Sequence, residues 1–265
     1  TYTVTDSSGN MVTLIRQVSV IIPSGSLIGC DGGVVPTLVY GIQEWAVENA
    51  CHITYRDGTP IPQVTDADEW IFLTTGAWSY YDNDPTKAIL YNWHALTGKH
   101  DNDPSTPNKE FSPEGWHVPS KPEWETLETF LFFNGYSNYI EPTGSETIAK
   151  AIASVEGWDE SPYAGTPGND SSSNNSSGFN AYPQGQRGWA SPGAIEIPGC
   201  YFYNEGTHTM FWSSTEKLQS AGTPWGQVSN TAYYHLSNYH GGSVVSFAYG
   251  ANGYSVRLVK DSQIT

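Results

Sequence analysis

Short runs of alternating apolar and polar residues dominate the chain, and only two stretches carry a helical period. Alternation starts at Tyr2 and Val4, turns at Ser8-Gly9-Asn10, and resumes at Val12 and Leu14, then at Val18, Val20 and Ile22 up to Pro23. From Val39 to Trp93 the pattern predicts short strands at Trp45 to Val47, Ile53 to Tyr55 and Trp70 to Leu73, with a turn at Asp57-Gly58. Ser120-Lys121-Pro122-Glu123 is a capping box with proline in the first turn, and Trp124, Leu127, Phe130 and Leu131 then share one helical face. A second helix fits Ser145 to Val155, with Ile148, Ile152 and Val155 inward. Asp159 to Gly178 is rich in Ser, Asn, Gly and Pro and predicts a long, mobile surface loop. Strands return at Cys200 to Tyr203, Met210 to Ser213, Ala232 to Leu236, Ser243 to Phe247 and Tyr254 to Val259. The expectation is an α+β domain over residues 37–265, with two helices, small antiparallel sheets and long loops. A short β-hairpin segment over residues 1–28 precedes it, and Gly25 to Pro36 is the expected joint.

Charge sharpens this picture. The chain is 14% Asp, Glu, Lys and Arg, yet none of these lies between Lys217 and Arg257, where roughly five would be expected from composition alone. The segment instead carries aromatics spaced by Gly, Ser and Asn. Catalysis needs titratable groups, whereas recognition needs stiff aromatics with adaptable polar neighbours. The predicted ligand-binding positions are Trp225, Gln227, Ser229, Asn230, Tyr234, His235, Ser237, Asn238, Tyr239, His240, Ser243, Phe247, Tyr249 and Asn252. Alternation places Val228, Leu236, Val244, Val256 and Leu258 inward. The opposing reading is that the tyrosines are simply core of the last strands.

A formal net charge of −16 argues against nucleic acid or an anionic membrane as partner. No signal peptide or apolar run of transmembrane length is evident, and a start at Thr1 suggests a piece of a longer chain. Three buried thiols are expected for Cys30, Cys51 and Cys200, with a Cys30–Cys51 pair as the alternative. No zinc spacing occurs, so no metal or cofactor is assigned; structural calcium at Asp82-Asn83-Asp84 or Asp101-Asn102-Asp103 stays open, because such runs are also common turns.

Several blocks together resemble a known family. Gln43-Glu44-Trp45-Ala46-Val47-Glu48-Asn49, Tyr91-Asn92-Trp93-His94-Ala95, Pro113-Glu114-Gly115-Trp116-His117-Val118-Pro119, Gly178-Phe179-Asn180-Ala181, Trp212-Ser213-Ser214-Thr215-Glu216 and Gly253-Tyr254-Ser255-Val256-Arg257 are similar to the Fibrobacter succinogenes major paralogous domain. The resemblance spans about residues 37–261. It implies a C-type-lectin-like fold near the formylglycine-generating enzymes, carried on bacterial surface proteins, adhesins or phage tail fibres. Some similar domains, including ones from Bacteroidetes, are variable proteins of diversity-generating retroelements, and Trp225 to Asn252 has their residue vocabulary. The first strands also resemble the end of an upstream immunoglobulin-like module. Family members often carry Cys where this chain has Ser112.

Enzymatic readings fare worse. A formylglycine-generating activity needs a reactive cysteine pair, and Cys200 stands alone in the second half. A glycosidase needs two carboxylates astride a sugar, and nothing singles out a pair among Glu44, Glu48, Asp57 and Glu216. Trp116 and His117 fit a core wedge and an internal hydrogen bond. Glu216 is expected to pair with Arg257, so that Glu216→Ala would unfold the domain. The expected function is therefore a non-enzymatic adhesin or receptor-binding domain, extracellular on a bacterial surface or virion, taking a protein or glycan on a target cell. A carbohydrate-active enzyme and a structural pilus or fibre subunit are the rivals.

Overall fold

The computed structural model describes residues 2–5, 7–14, 26–140, 145–190, 199–218, 229–238, 243–248 and 250–262. It opens with the antiparallel hairpin β1 (Tyr2–Thr5) and β2 (Met11–Leu14). Then come β3 (Thr37–Tyr40), β4 (Gln43–Ala46), α1 (Ala67–Ile71), β5 (Trp78–Tyr80), β6 (Ile89–Tyr91) and α2 (Trp93–Leu96). The middle holds β7 (Trp116–His117), α3 (Lys121–Leu131), β8 (Asn138–Ile140), β9 (Ser145–Thr147) and α4 (Ala149–Ile152). The last part is strand: β10 (Gln184–Ala190), β11 (Gly199–Glu205), β12 (His208–Leu218), β13 (Ser229–Ser237), β14 (Ser243–Ala248) and β15 (Val259–Lys260). The fold class is α+β, as the alternation predicts.

Two sheets organise the core. The larger runs β11-β10-β12-β13-β14, antiparallel except for the parallel β10–β12 contact. The smaller runs β3-β4-β15-β7, so the last strand lies between β4 and β7. Strand β12 is buried on both faces. Phe211 points into a cluster with Trp45, Trp124, Tyr234 and Leu236, while its neighbours Met210 and Trp212 point into another with Trp116, Tyr254 and Val256. Leu236, Val256 and Leu258 are buried as predicted; Val244 lies on β14 without a described side chain, and Val228 is outside the described residues.

Helix α3 forms where its capping box places it. The Ser120 backbone N–H donates to Glu123 Oε2 at 2.7 Å, and Trp124, Leu127 and Leu131 bury one face. The Trp-Ser-Ser-Thr-Glu block explains how the helix is held. Pairing between β12 and β13 shifts register between Trp212 and Glu216, and the bulge turns outward to grip the helix start. There the Lys121 N–H donates to Thr215 Oγ1 at 2.9 Å, and the Ser214 N–H donates to Pro119 O at 2.9 Å.

Several expectations need correction. Four short α-helices occur among the described residues, not two. Trp70 sits in α1 instead of a strand, because Asp66 caps the turn by accepting from the Glu69 N–H at 2.8 Å, and five residues are too few for a period to show. The predicted helix from Ser145 splits into β9 and the single turn α4, which leaves Val155 43% exposed. The 159–178 segment is tied down, since polar side chains replace the missing apolar ones. Buried Asn174 donates to Ser154 O and Pro167 O, Ser177 to Ala151 O, and Thr166 to Ser161. Cys30 and Cys51 form a disulfide, leaving Cys200 as the buried free thiol. Leu27 and Val35 join the core around Trp116, so the expected joint is packed against the domain.

Glu216 and Arg257 do not meet either. Glu216 is exposed on β12, while Arg257 is 1% exposed and bound elsewhere. Glu216→Ala is accordingly expected to shift stability by no more than about 0.5 kcal/mol, as at other surface sites. Urea denaturation of the variant checks this, and a cooperative loss of several kcal/mol would contradict it.

Candidate binding surface

The predicted binding positions divide three ways. Tyr234 is 1% exposed because β13 turns it, with Leu236, onto α3, where its ring stacks on Trp124 at 4.6 Å. Ser237 and Asn238 are fully buried at the end of the same strand, where the Asn238 N–H donates to Thr207 O. These three are core, which corrects their expected display. His235 is half-buried and stacks on His208 at 5.1 Å, and half-buried Asn252 donates its amide to the Tyr254 hydroxyl at 2.7 Å. Ser229 and Asn230 lie on β13 opposite Leu218 and Lys217, and Ser243 and Phe247 lie on β14. Trp225, Gln227, Tyr239, His240 and Tyr249 lie outside the described residues.

Sequence reasoning missed an open cleft of about 650 Å³ beside the disulfide. Its rim includes Glu48, Asn49, Tyr80, Lys87, Asn180 and Tyr182. Arg257 forms the floor and shows how the loops are joined. Its Nε donates to Asn49 Oδ1 at 3.0 Å, and Nη1 donates to Ala46 O at 3.1 Å and Phe179 O at 2.8 Å. The guanidinium lies over the Phe179 ring at 4.5 Å, and burial pushes its pKa down to about 9. Arg187 likewise joins loops to the larger sheet from β10. It donates to the carbonyls of Val64, Thr65 and Asp66 and lies over Trp70 at 4.2 Å.

The profile of the Fibrobacter succinogenes major domain matches residues 38–260. The chain belongs to that family. No curated protein and no solved structure matched. The blocks that mark the family are mostly structural. Tyr91, Asn92, Trp93 and Ala95 are buried, as are Phe179, Trp212 and the whole run Gly253 to Arg257. Trp116 is 2% exposed, as a core wedge should be. His117 is half-buried, bridging Glu123 Oε1 and Asp261 Oδ1 at 2.7 Å each.

Of the four carboxylates weighed for hydrolysis, three are described apart from one another. Glu44 is held by Lys260 at 3.0 Å and Asp57 by Lys109 at 2.6 Å, which with the Thr59 bonds holds the Asp57 carboxyl well below the usual range. Glu48 is the one carboxylate lining the cleft among the described residues. In the two candidate cation runs, Asp82 pairs with Lys87, and Asp103 accepts from Ser105. No cluster of three or more His, Cys, Asp or Glu suited to a metal occurs among the described residues. No described helix is long and apolar enough to cross a membrane.

Buried histidines give the domain a pH dependence. Burial pushes His52 and His94 down from 6.5 to about 4, so both are neutral in the fold. Below 6.5 the unfolded chain binds protons that the fold refuses, and stability falls as pH drops towards 4. His117 acts in the opposite sense, since Glu123 and then Asp261 raise its pKa against burial; its contribution is full below 6.5 and lost as pH rises through the raised value. With its side chain 38% exposed His117 is screened. Burial raises the Glu128 carboxyl to about 7, which adds stability as pH falls to 4.5. This offsets about one of the two rings, each worth up to about 3 kcal/mol, so the net effect is a fall of about one ring's size. The urea midpoint is expected to fall steadily from pH 6.5 to 4. A profile that stays flat in a Glu128→Gln variant as well would mean that His52 and His94 charge freely inside the fold.

Proposed function

We propose that this is a non-enzymatic recognition domain of the C-type-lectin-like kind, extracellular on a bacterial surface or virion, which binds a protein or glycan on another cell through its C-terminal strands. The observation that carries the reading is the position of the charge-free segment. It supplies β13 and β14, and β14 ends the strand order of a sheet whose central strand is locked between two cores. A fixed scaffold with these strands at one edge suits docking, because little ordering entropy is lost on binding. Two further observations favour it. The cleft is lined by one carboxylate, Glu48, among the described residues, whereas glycosidic hydrolysis uses two. The Cys30–Cys51 disulfide suits an oxidising, extracellular setting.

The test is pull-down of intact bacterial cells on the immobilised domain, against a variant with Ser229, Asn230, Ser243 and Phe247 changed to alanine. Capture should be lost in this variant while circular dichroism shows it to be folded. Equal capture by a well-folded variant, or turnover of a glycan by the native domain, would refute the proposal.

A further inference from the structure

We infer that the cleft beside the Cys30–Cys51 disulfide is a binding site for a short, neutral oligosaccharide. This goes beyond the reading above, because among the described residues none of the C-terminal candidate positions lines the cleft. It holds whether or not β13 and β14 bind anything.

The argument rests on which groups in the cleft are already engaged. Both cations are spent within the protein. Lys87 is held by Glu205 at 2.7 Å and Asp82 at 3.1 Å, and Arg257 lies beneath the surface with its donors on Asn49 and backbone carbonyls. Asn49 and Gln184 are bonded to each other, and Ser255 Oγ donates to Gln184 Oε1 at 2.9 Å. Five groups remain without a hydrogen bond among the described residues: the Glu48 carboxylate, the Asn180 and Gln184 amide nitrogens, and the Tyr80 and Tyr182 hydroxyls. One carboxylate acceptor, two amide donors, two phenol hydroxyls and the exposed Tyr182 ring match a polyhydroxylated ring. Paired hydroxyls donate to the carboxylate and accept from an amide, while the apolar C–H face lies on a tyrosine. An anionic ligand would meet Glu48 with no free cation to offset it, on a chain of net charge −16.

The cleft is also prepared for a ligand. Its volume of about 650 Å³ falls in the usual range for small-ligand sites. The disulfide fixes one wall. Asn180 holds a left-handed backbone at φ 59°, a conformation that asparagine tolerates, which sets the direction of its side chain beside Tyr182. Tyr182 is 40% exposed and is followed by Pro183, so its ring stands on a stiff support.

The experiment is an NMR titration of the ¹⁵N-labelled chain with cellobiose, maltose, lactose and N,N′-diacetylchitobiose, with 3′-sialyllactose as the acidic counterpart of lactose. At least one neutral disaccharide should give saturable shifts of the side-chain amide signals of Asn49, Asn180 and Gln184. Tyr182→Ala and Glu48→Ala change exposed side chains and should leave melting unaltered while weakening that binding about tenfold or more, a loss of about 1.4 kcal/mol. The alanine variant of Ser229, Asn230, Ser243 and Phe247 should bind the sugar normally, which separates this site from the C-terminal strands. The inference fails if no neutral disaccharide shifts those signals at about 10 mM, a concentration that would reveal even millimolar affinity. It fails equally if both cleft variants bind as the native chain does, or if sialyllactose binds better than lactose.

Discussion

Arg257→Met is expected to destabilise the domain by about 3–5 kcal/mol, a large share of the 5–15 kcal/mol that holds a typical domain together. Methionine fills much of the arginine volume, so the loss does not come from a cavity. It comes from the acceptors left behind. Asn49 Oδ1 and the carbonyls of Ala46 and Phe179 all lose a charged donor in a site where Arg257 is 1% exposed. Each orphaned acceptor costs about 1–3 kcal/mol when water cannot reach it. Lysine is no remedy, since a single ammonium group cannot span acceptors that a planar fork reaches from different sides. Guanidinium titration followed by tryptophan fluorescence measures the change. A loss below about 1 kcal/mol would mean that water enters the site and replaces the guanidinium.

The second large effect is expected at Trp124. Its ring stacks on Tyr234 at 4.6 Å and on Phe211 at 5.6 Å, and meets Trp45 at 4.7 Å, so one side chain joins α3 to β4, β12 and β13. Trp124→Ala removes the largest ring at that junction and should cost about 3–5 kcal/mol. The near-ultraviolet circular dichroism of the stacked rings should collapse with it. Preserved near-ultraviolet signal and an unchanged midpoint would show that the helix is held by its capping box and the 214–215 bulge alone.

These two residues also show what could be read in advance. Trp124 was visible in the sequence because its partners Leu127 and Leu131 repeat at helical spacing and Ser120 to Glu123 announce the start. The strands from Cys200 to Phe247 were visible for the same local reason. In contrast, β10 was missed, and the predicted strand Tyr254 to Val259 forms only isolated bridges ahead of β15. Arg257 was legible as an unusual charge but not in its role, because its acceptors are backbone carbonyls up to 211 residues away, and carbonyls carry no sequence signature. Pairing it with Glu216 assumed that a buried cation needs a carboxylate; here carbonyl oxygens and the Phe179 ring suffice. Tyr234 was misplaced because tyrosine suits both an interface and a core, and composition cannot tell which face of a strand it takes. The cleft escaped notice since its walls come from residues 48–49, 80–89 and 180–184, which only the fold brings together.

The position of β15 carries one last consequence, for biogenesis. Val259 pairs with Trp45 on one side and His117 on the other, so the strands that emerge first stay separated until the final one slots between them. A nascent chain halted before Arg257 has neither the guanidinium nor this wedge. Protease resistance of ribosome-bound chains should therefore arise in one late step, once the segment through Lys260 has cleared the exit tunnel, and a domain built this way has every reason to wait for a holding chaperone during synthesis.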